Sequence, residues 1–78
     1  MSSIDKFDSF TIIVILFQER RQDALNMKKS ANDLYVSSQH KEAIAKYTEA
    51  LDLCPLCFTE DRAILLSNRA AAKLKLVS

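Results

Sequence analysis

The chain has 78 residues, 49% hydrophobic and 27% charged, with a formal net charge of +1. This is enough for one small domain, at the size where a core only just outweighs chain entropy, and the composition is that of a folding chain rather than a disordered one. A near-neutral charge excludes a general electrostatic pull toward nucleic acid or membrane, and the absence of glycine excludes the G-x-G-x-x-G and Walker phosphate loops.

No glycine and a single proline argue against a β-sandwich and predict an all-α chain. Two cysteines, Cys54 and Cys57, are too few and too close for a secreted disulfide framework. The expected setting is therefore a reducing, cytoplasmic one.

The N-terminal segment, residues 1–19, is unlike the rest. Phe10-Thr11-Ile12-Ile13-Val14-Ile15-Leu16-Phe17 is an almost unbroken apolar run rich in β-branched residues. A membrane-spanning helix needs roughly 17 to 25 apolar residues, and this run is far shorter. Its flanks are also wrong for a signal peptide. Asp5 and Asp8 outweigh Lys6, and Gln18-Glu19-Arg20-Arg21 follows where a small-residue cleavage site would stand. The expectation is a segment that packs on the helices, because an exposed run of this kind is an aggregation hazard.

From about Gln18 the pattern becomes helical. Ala24, Met27, Ala31, Leu34 and Tyr35 fall at i, i+3, i+7, i+10 and i+11, one face of a helix. Ser37-Ser38-Gln39-His40 reads as a turn. A second helix over Lys41–Leu53 places Ile44, Tyr47 and Leu51 on one stripe with Ala43 and Ala50 beside it, and Glu42 and Lys46 at i,i+4 spacing. Pro55 stands just after, where a helix must end. Thr59 is the expected cap of a third helix over Glu60–Leu76. Glu60 and Asp61 suit its positive end, and Lys73 and Lys75 suit its negative end. Apolar residues from Ile64 to Leu76 are available there for packing.

Taken together, Met27-x2-Ser30-Ala31-x2-Leu34, Ala43-x3-Tyr47, Ala50 and Pro55 resemble one tetratricopeptide repeat, a helix–turn–helix unit with a period of about 34 residues. Small residues at Ala31, Ala43 and Ala50 allow two antiparallel helices to cross closely, and Tyr47 fills the space between units. There are departures. Met27 stands where tryptophan is usual, Ser30 replaces leucine, and Leu34 replaces tyrosine, with Tyr35 one place on. Ser38-Gln39-His40 replaces a Gly-Asp-Tyr-like turn, which implies mild strain there.

Lys28-Lys29-Ser30-Ala31-Asn32 and Ser67-Asn68-Arg69-Ala70-Ala71-Ala72 resemble the clamp-type repeats of chaperone-binding adaptors. Leu53-Cys54-Pro55-Leu56-Cys57-Phe58, followed by Arg62-Ala63-Ile64-Leu65-Leu66-Ser67-Asn68-Arg69, resembles a subgroup with a wider loop before the second unit. The resemblance implies a repeat fragment over residues 20–76, with the first repeat at about 24–57 and the first helix of a second at 58–76. It implies a right-handed α-solenoid arrangement and a non-catalytic adaptor, similar to co-chaperones that hold the acidic C-terminal tail of a seventy- or ninety-kilodalton chaperone. Carried over by position, Lys28, Asn32 and Asn68 would bind the peptide carboxylate. Lys28 and Asn32 are one helical turn apart, so both project on one face, and an ammonium with two amides can converge on a carboxylate. The family takes two further cations from a third unit, which would lie past Ser78. The chain thus reads as a repeat module cut short. Stacked repeats usually need about three units, so the third helix is expected to leave a face uncovered. Self-association, or a fold-back of Phe10–Phe17, would cover it.

Other chemistry is poorly supported. Cys54-Pro55-Leu56-Cys57 matches C-x-x-C, giving a thiol redox or sensor protein as the alternative, but that motif belongs in a βαβ context. A zinc site needs two more ligands, and His40 is the only histidine. His40 is expected in a turn facing water. No Ser–His–acid or paired-carboxylate arrangement stands out, so the expectation is no enzyme activity, cofactor or metal. The basic residues Arg20-Arg21 and Lys28-Lys29 are too sparse for nucleic acid.

Overall fold

The computed structural model describes residues 8–78, and the described chain is all-helical. Its elements are α1 (Ser9–Val36), α2 (His40–Leu53) and α3 (Thr59–Val77). The charges expected to flank the apolar run at Asp5 and Lys6 lie outside the described residues.

Helix α1 starts well before the Gln18 that periodicity suggests. Asp8 is its N-cap, and the carboxylate accepts from the Thr11 backbone N–H at 2.8 Å. This satisfies one of the four orphan donors of the first turn. Once capped, the β-branched run extends a helix already nucleated below it, which avoids a separate nucleation cost. The 28 residues span about 42 Å at 1.5 Å per residue. The expected packing or fold-back of Phe10–Phe17 is not what forms. These residues continue α1 as an arm, and every apolar side chain from Phe10 to Phe17 is at least 40% exposed. Helix α1 runs unbroken through residues 19 and 20.

The α1–α2 turn is a Schellman motif. The Gln39 N–H donates to Leu34 O at 2.9 Å and the Ser38 N–H to Tyr35 O at 3.1 Å, pairing carbonyls that the helix end would leave unmet. Ser38 takes the left-handed position with φ 65°, where glycine is usual. The mild strain implied for this turn therefore sits at Ser38. His40 begins α2 rather than the turn, and its ring meets Tyr35 edge-on at 5.2 Å between centroids.

Helix α2 ends at Leu53, with Cys54 extended before Pro55. Two arginines from other helices satisfy its last carbonyls. Arg62 Nη1 donates to Leu51 O and Cys54 O, both at 2.8 Å, and Arg20 Nε donates to Leu53 O at 3.3 Å. Lys46 pairs with Glu49 at 3.5 Å and not with Glu42. Helix α3 is capped at Phe58 with no side-chain cap bond, so Thr59 is its first helical residue and not its cap. The Arg62 backbone N–H donates to Phe58 O at 3.0 Å, which makes Phe58 the cap. The Arg21 guanidinium lies 5.2 Å from the Phe58 ring and binds Asp61 at 2.6 Å, tying this helix start to α1.

The helices run up, down and up. Side-chain pairs from α1 to α3 fall in the same order on both, Arg21 with Asp61 and Asn32 with Asn68, so α1 and α3 are parallel. The core between them is built from small side chains. Ala24, Ala31, Ala43, Ala50 and Ala72 are buried, and Tyr47 and Leu65 are the largest fully buried residues. Met27 and Leu34 pack against this core half-buried. On α3, Ile64, Leu66, Leu74 and Leu76 are exposed, and only Leu65 and Ala72 enter the core.

Candidate functional site

Helix periodicity places Asn32 on α1 one turn after Lys28, and the parallel course of α3 brings Asn68 beside it. Asn68 Nδ2 donates to Asn32 Oδ1 at 3.4 Å across 36 residues of sequence. The Tyr47 hydroxyl, reaching out of the core from α2, donates to the same oxygen. Burial pushes the Tyr47 pKa above its ordinary value, so the phenol remains a donor throughout the neutral range.

These residues border a recess of about 230 Å³, which Tyr35, Val36 and Ala71 complete. The volume is below the roughly 300–1,000 Å³ of small-molecule and cofactor sites. One wall is aromatic and aliphatic, and the other carries amides. Lys28 is half-buried on the same side of α1. It does not line the recess, and no ion pair or hydrogen bond holds its ammonium within the described chain. The remaining predicted positions form the scaffold. Ala31, Ala43 and Ala50 are fully buried at the helix crossing, while Pro55 sits half-buried in the loop after α2.

Sequence reasoning treated Tyr47 as packing alone and missed its hydroxyl. Periodicity does signal a buried tyrosine, and a buried Tyr O–H usually finds a partner, but spacing does not identify that partner. Arg62 was missed as well. No local rule connects an α3 arginine to the carbonyls ending α2.

A larger recess of about 550 Å³ lies at the other end, where Phe17, Leu51, Leu56 and Cys57 meet Arg20 and Arg62. Both arginines there are engaged by α2 carbonyls, so they offer little free charge to a ligand. The two cysteines are free, Cys54 buried and Cys57 exposed. Burial pushes the Cys54 thiol up, the opposite direction from an activated thiolate. Among the described residues no group of three or more His, Cys, Asp or Glu side chains is placed to hold a metal, and no helix is long and apolar enough to cross a membrane. No family model matches the chain, and no solved structure matches it.

Proposed function

We propose that the chain is a non-catalytic peptide-binding module of tetratricopeptide-repeat type, a cytoplasmic, co-chaperone-like adaptor that receives the carboxylate end of an acidic protein tail. The observation carrying this reading is the meeting of Asn32 and Asn68 at one small recess, with Lys28 a turn away and uncommitted. Two amides and an ammonium supply donors without a competing negative charge, which suits a carboxylate. The up–down–up course of the helices supports the repeat reading, with α1 and α2 as one unit and α3 opening the next. A chaperone tail ending in acidic residues is the proposed partner.

The test is a titration with an acidic peptide whose C-terminus is free, repeated with the same peptide amidated. Binding of the free acid, weakened by Lys28→Ala and Asn68→Ala, is expected. Equal binding of both peptides, or none, refutes the reading.

A second reading, self-association, is favoured by uncovered apolar surface. Leu74 and Val77 on α3 are 67% and 82% exposed, and Phe10 on the arm is 74% exposed. Monomer surfaces rarely carry apolar patches beyond roughly 300–600 Å². A second copy of this chain is the proposed occupant, because a two-fold pairing would set the exposed Leu74 and Val77 of each copy against those of the other. Sedimentation should show a dimer that Leu74→Glu dissociates. A monomer at the highest soluble concentration refutes it.

A further inference from the structure

One oxygen at the recess has two donors aimed at it. The Tyr47 hydroxyl reaches Asn32 Oδ1 from the core side, and Asn68 Nδ2 reaches it from α3 at 3.4 Å. Tyr47 is only 2% exposed, so water is a poor substitute partner for its hydroxyl. The hydrogen-bond network sets the amide oxygen at this position, accepting from both groups. The Asn32 Nδ2 group is then the free end. It makes no hydrogen bond among the described residues, and no buried side-chain nitrogen lacks a partner, so it faces solvent at the recess.

We propose that Tyr47 is a positioning residue: its hydroxyl locks the Asn32 amide with nitrogen outward, so that the recess selects a carboxylate over a carboxamide. This rests on the reading of the recess as a carboxylate site. An ionised carboxylate only accepts, whereas a terminal amide also brings N–H donors, which would meet the outward Asn32 N–H groups. Without the hydroxyl, only the long 3.4 Å bond from Asn68 still holds the oxygen inward, so Asn32 turns it outward more readily and an amide becomes more acceptable. Tyr47 borders the recess, but its hydroxyl is directed at Asn32 and acts through it.

The experiment uses the full chain and two forms of one acidic peptide, free acid and amide, read by fluorescence anisotropy. The Asn32 side-chain NH₂ resonances are read in parallel by NMR. Tyr47→Phe keeps the ring and is expected to retain the helical signal while lowering the free-acid preference roughly five- to tenfold, the scale of one hydrogen bond. It should also shift the Asn32 NH₂ pair. Asn32→Asp leaves an acceptor for Tyr47 and Asn68 but turns a negative oxygen outward, and should abolish free-acid binding. An unchanged preference in Tyr47→Phe overturns the proposal. If the wild-type chain shows no preference, the carboxylate reading fails, and the NMR result decides the lock: a shifted NH₂ pair upholds it and an unshifted pair overturns it. If Tyr47→Phe unfolds, the wild-type hydroxyl proton decides. A slowly exchanging resonance supports the lock, and rapid exchange overturns it.

Discussion

Replacing Ser38 with glycine should stabilise this protein, and the expected size follows from one dihedral angle. Ser38 sits at φ 65°, where Cβ approaches the following carbonyl at a cost of roughly 1–2 kcal/mol for an L-residue. Glycine removes that cost but adds unfolded-state entropy worth about 0.5–1 kcal/mol. The side chain offers nothing to offset the gain, being exposed, while both Schellman hydrogen bonds come from the backbone and survive the change. The net expectation is about 0.5–1 kcal/mol of added stability. For a domain of this size that raises the melting temperature by roughly 2–8 °C, readable in a far-UV circular dichroism melt. Ser37→Gly is the control. Ser37 has φ −86° and its hydroxyl donates to Asp33 O at 3.0 Å, so glycine there should lower the melting temperature. If Ser38→Gly fails to raise it, or Ser37→Gly raises it equally, the strain assignment is wrong.

Other outcomes follow from the same contacts. Arg62→Met keeps the aliphatic stem but removes both bonds to Leu51 O and Cys54 O, and should cost about 2–3 kcal/mol in urea unfolding; a loss below about 0.5 kcal/mol would mean that water replaces the guanidinium without penalty. The Thr11 hydrogen bonds hold the Asp8 carboxyl below its ordinary value of 3.8. A depressed carboxyl contributes stability that is full above its unfolded pKa and lost as pH falls through the folded value. The Thr11 amide shift should therefore stay constant at neutral pH and move only on acidification below 3.8, and Asp8→Asn should flatten that response. On native protein, alkylation should mark exposed Cys57 quickly and buried Cys54 slowly; equal fast rates by mass spectrometry would show that the α2 end opens readily.

Much of the local architecture is readable in the chain because it depends on close neighbours. Apolar spacing from Ala24 to Tyr35 marks α1, Pro55 ends α2, and Glu60 with Asp61 announces α3. The same reasoning set the starts of all three helices late, α2 by one residue at His40. A β-branched apolar run reads as non-helical in isolation, yet Asp8 and the helix below carry it as part of α1. Thr59 is a good cap by residue type, but the first helical bond of α3 runs from the Arg62 backbone N–H to Phe58 O, so the helix starts one residue earlier.

The sequence by itself determined that this protein is helical, where its chain turns, and which positions carry small or aromatic side chains, since each depends on residues within about one helical turn. It placed Lys28 and Asn32 on one face for the same reason. Only the tertiary structure decided that Asn32, Tyr47 and Asn68 share one hydrogen-bonded cluster, that Arg62 closes the end of α2, and that the Phe10–Phe17 arm stands uncovered. Those facts depend on how three helices cross, set by the fit of Ala31, Ala43 and Ala50 against one another, and residue spacing along a single helix does not encode that geometry.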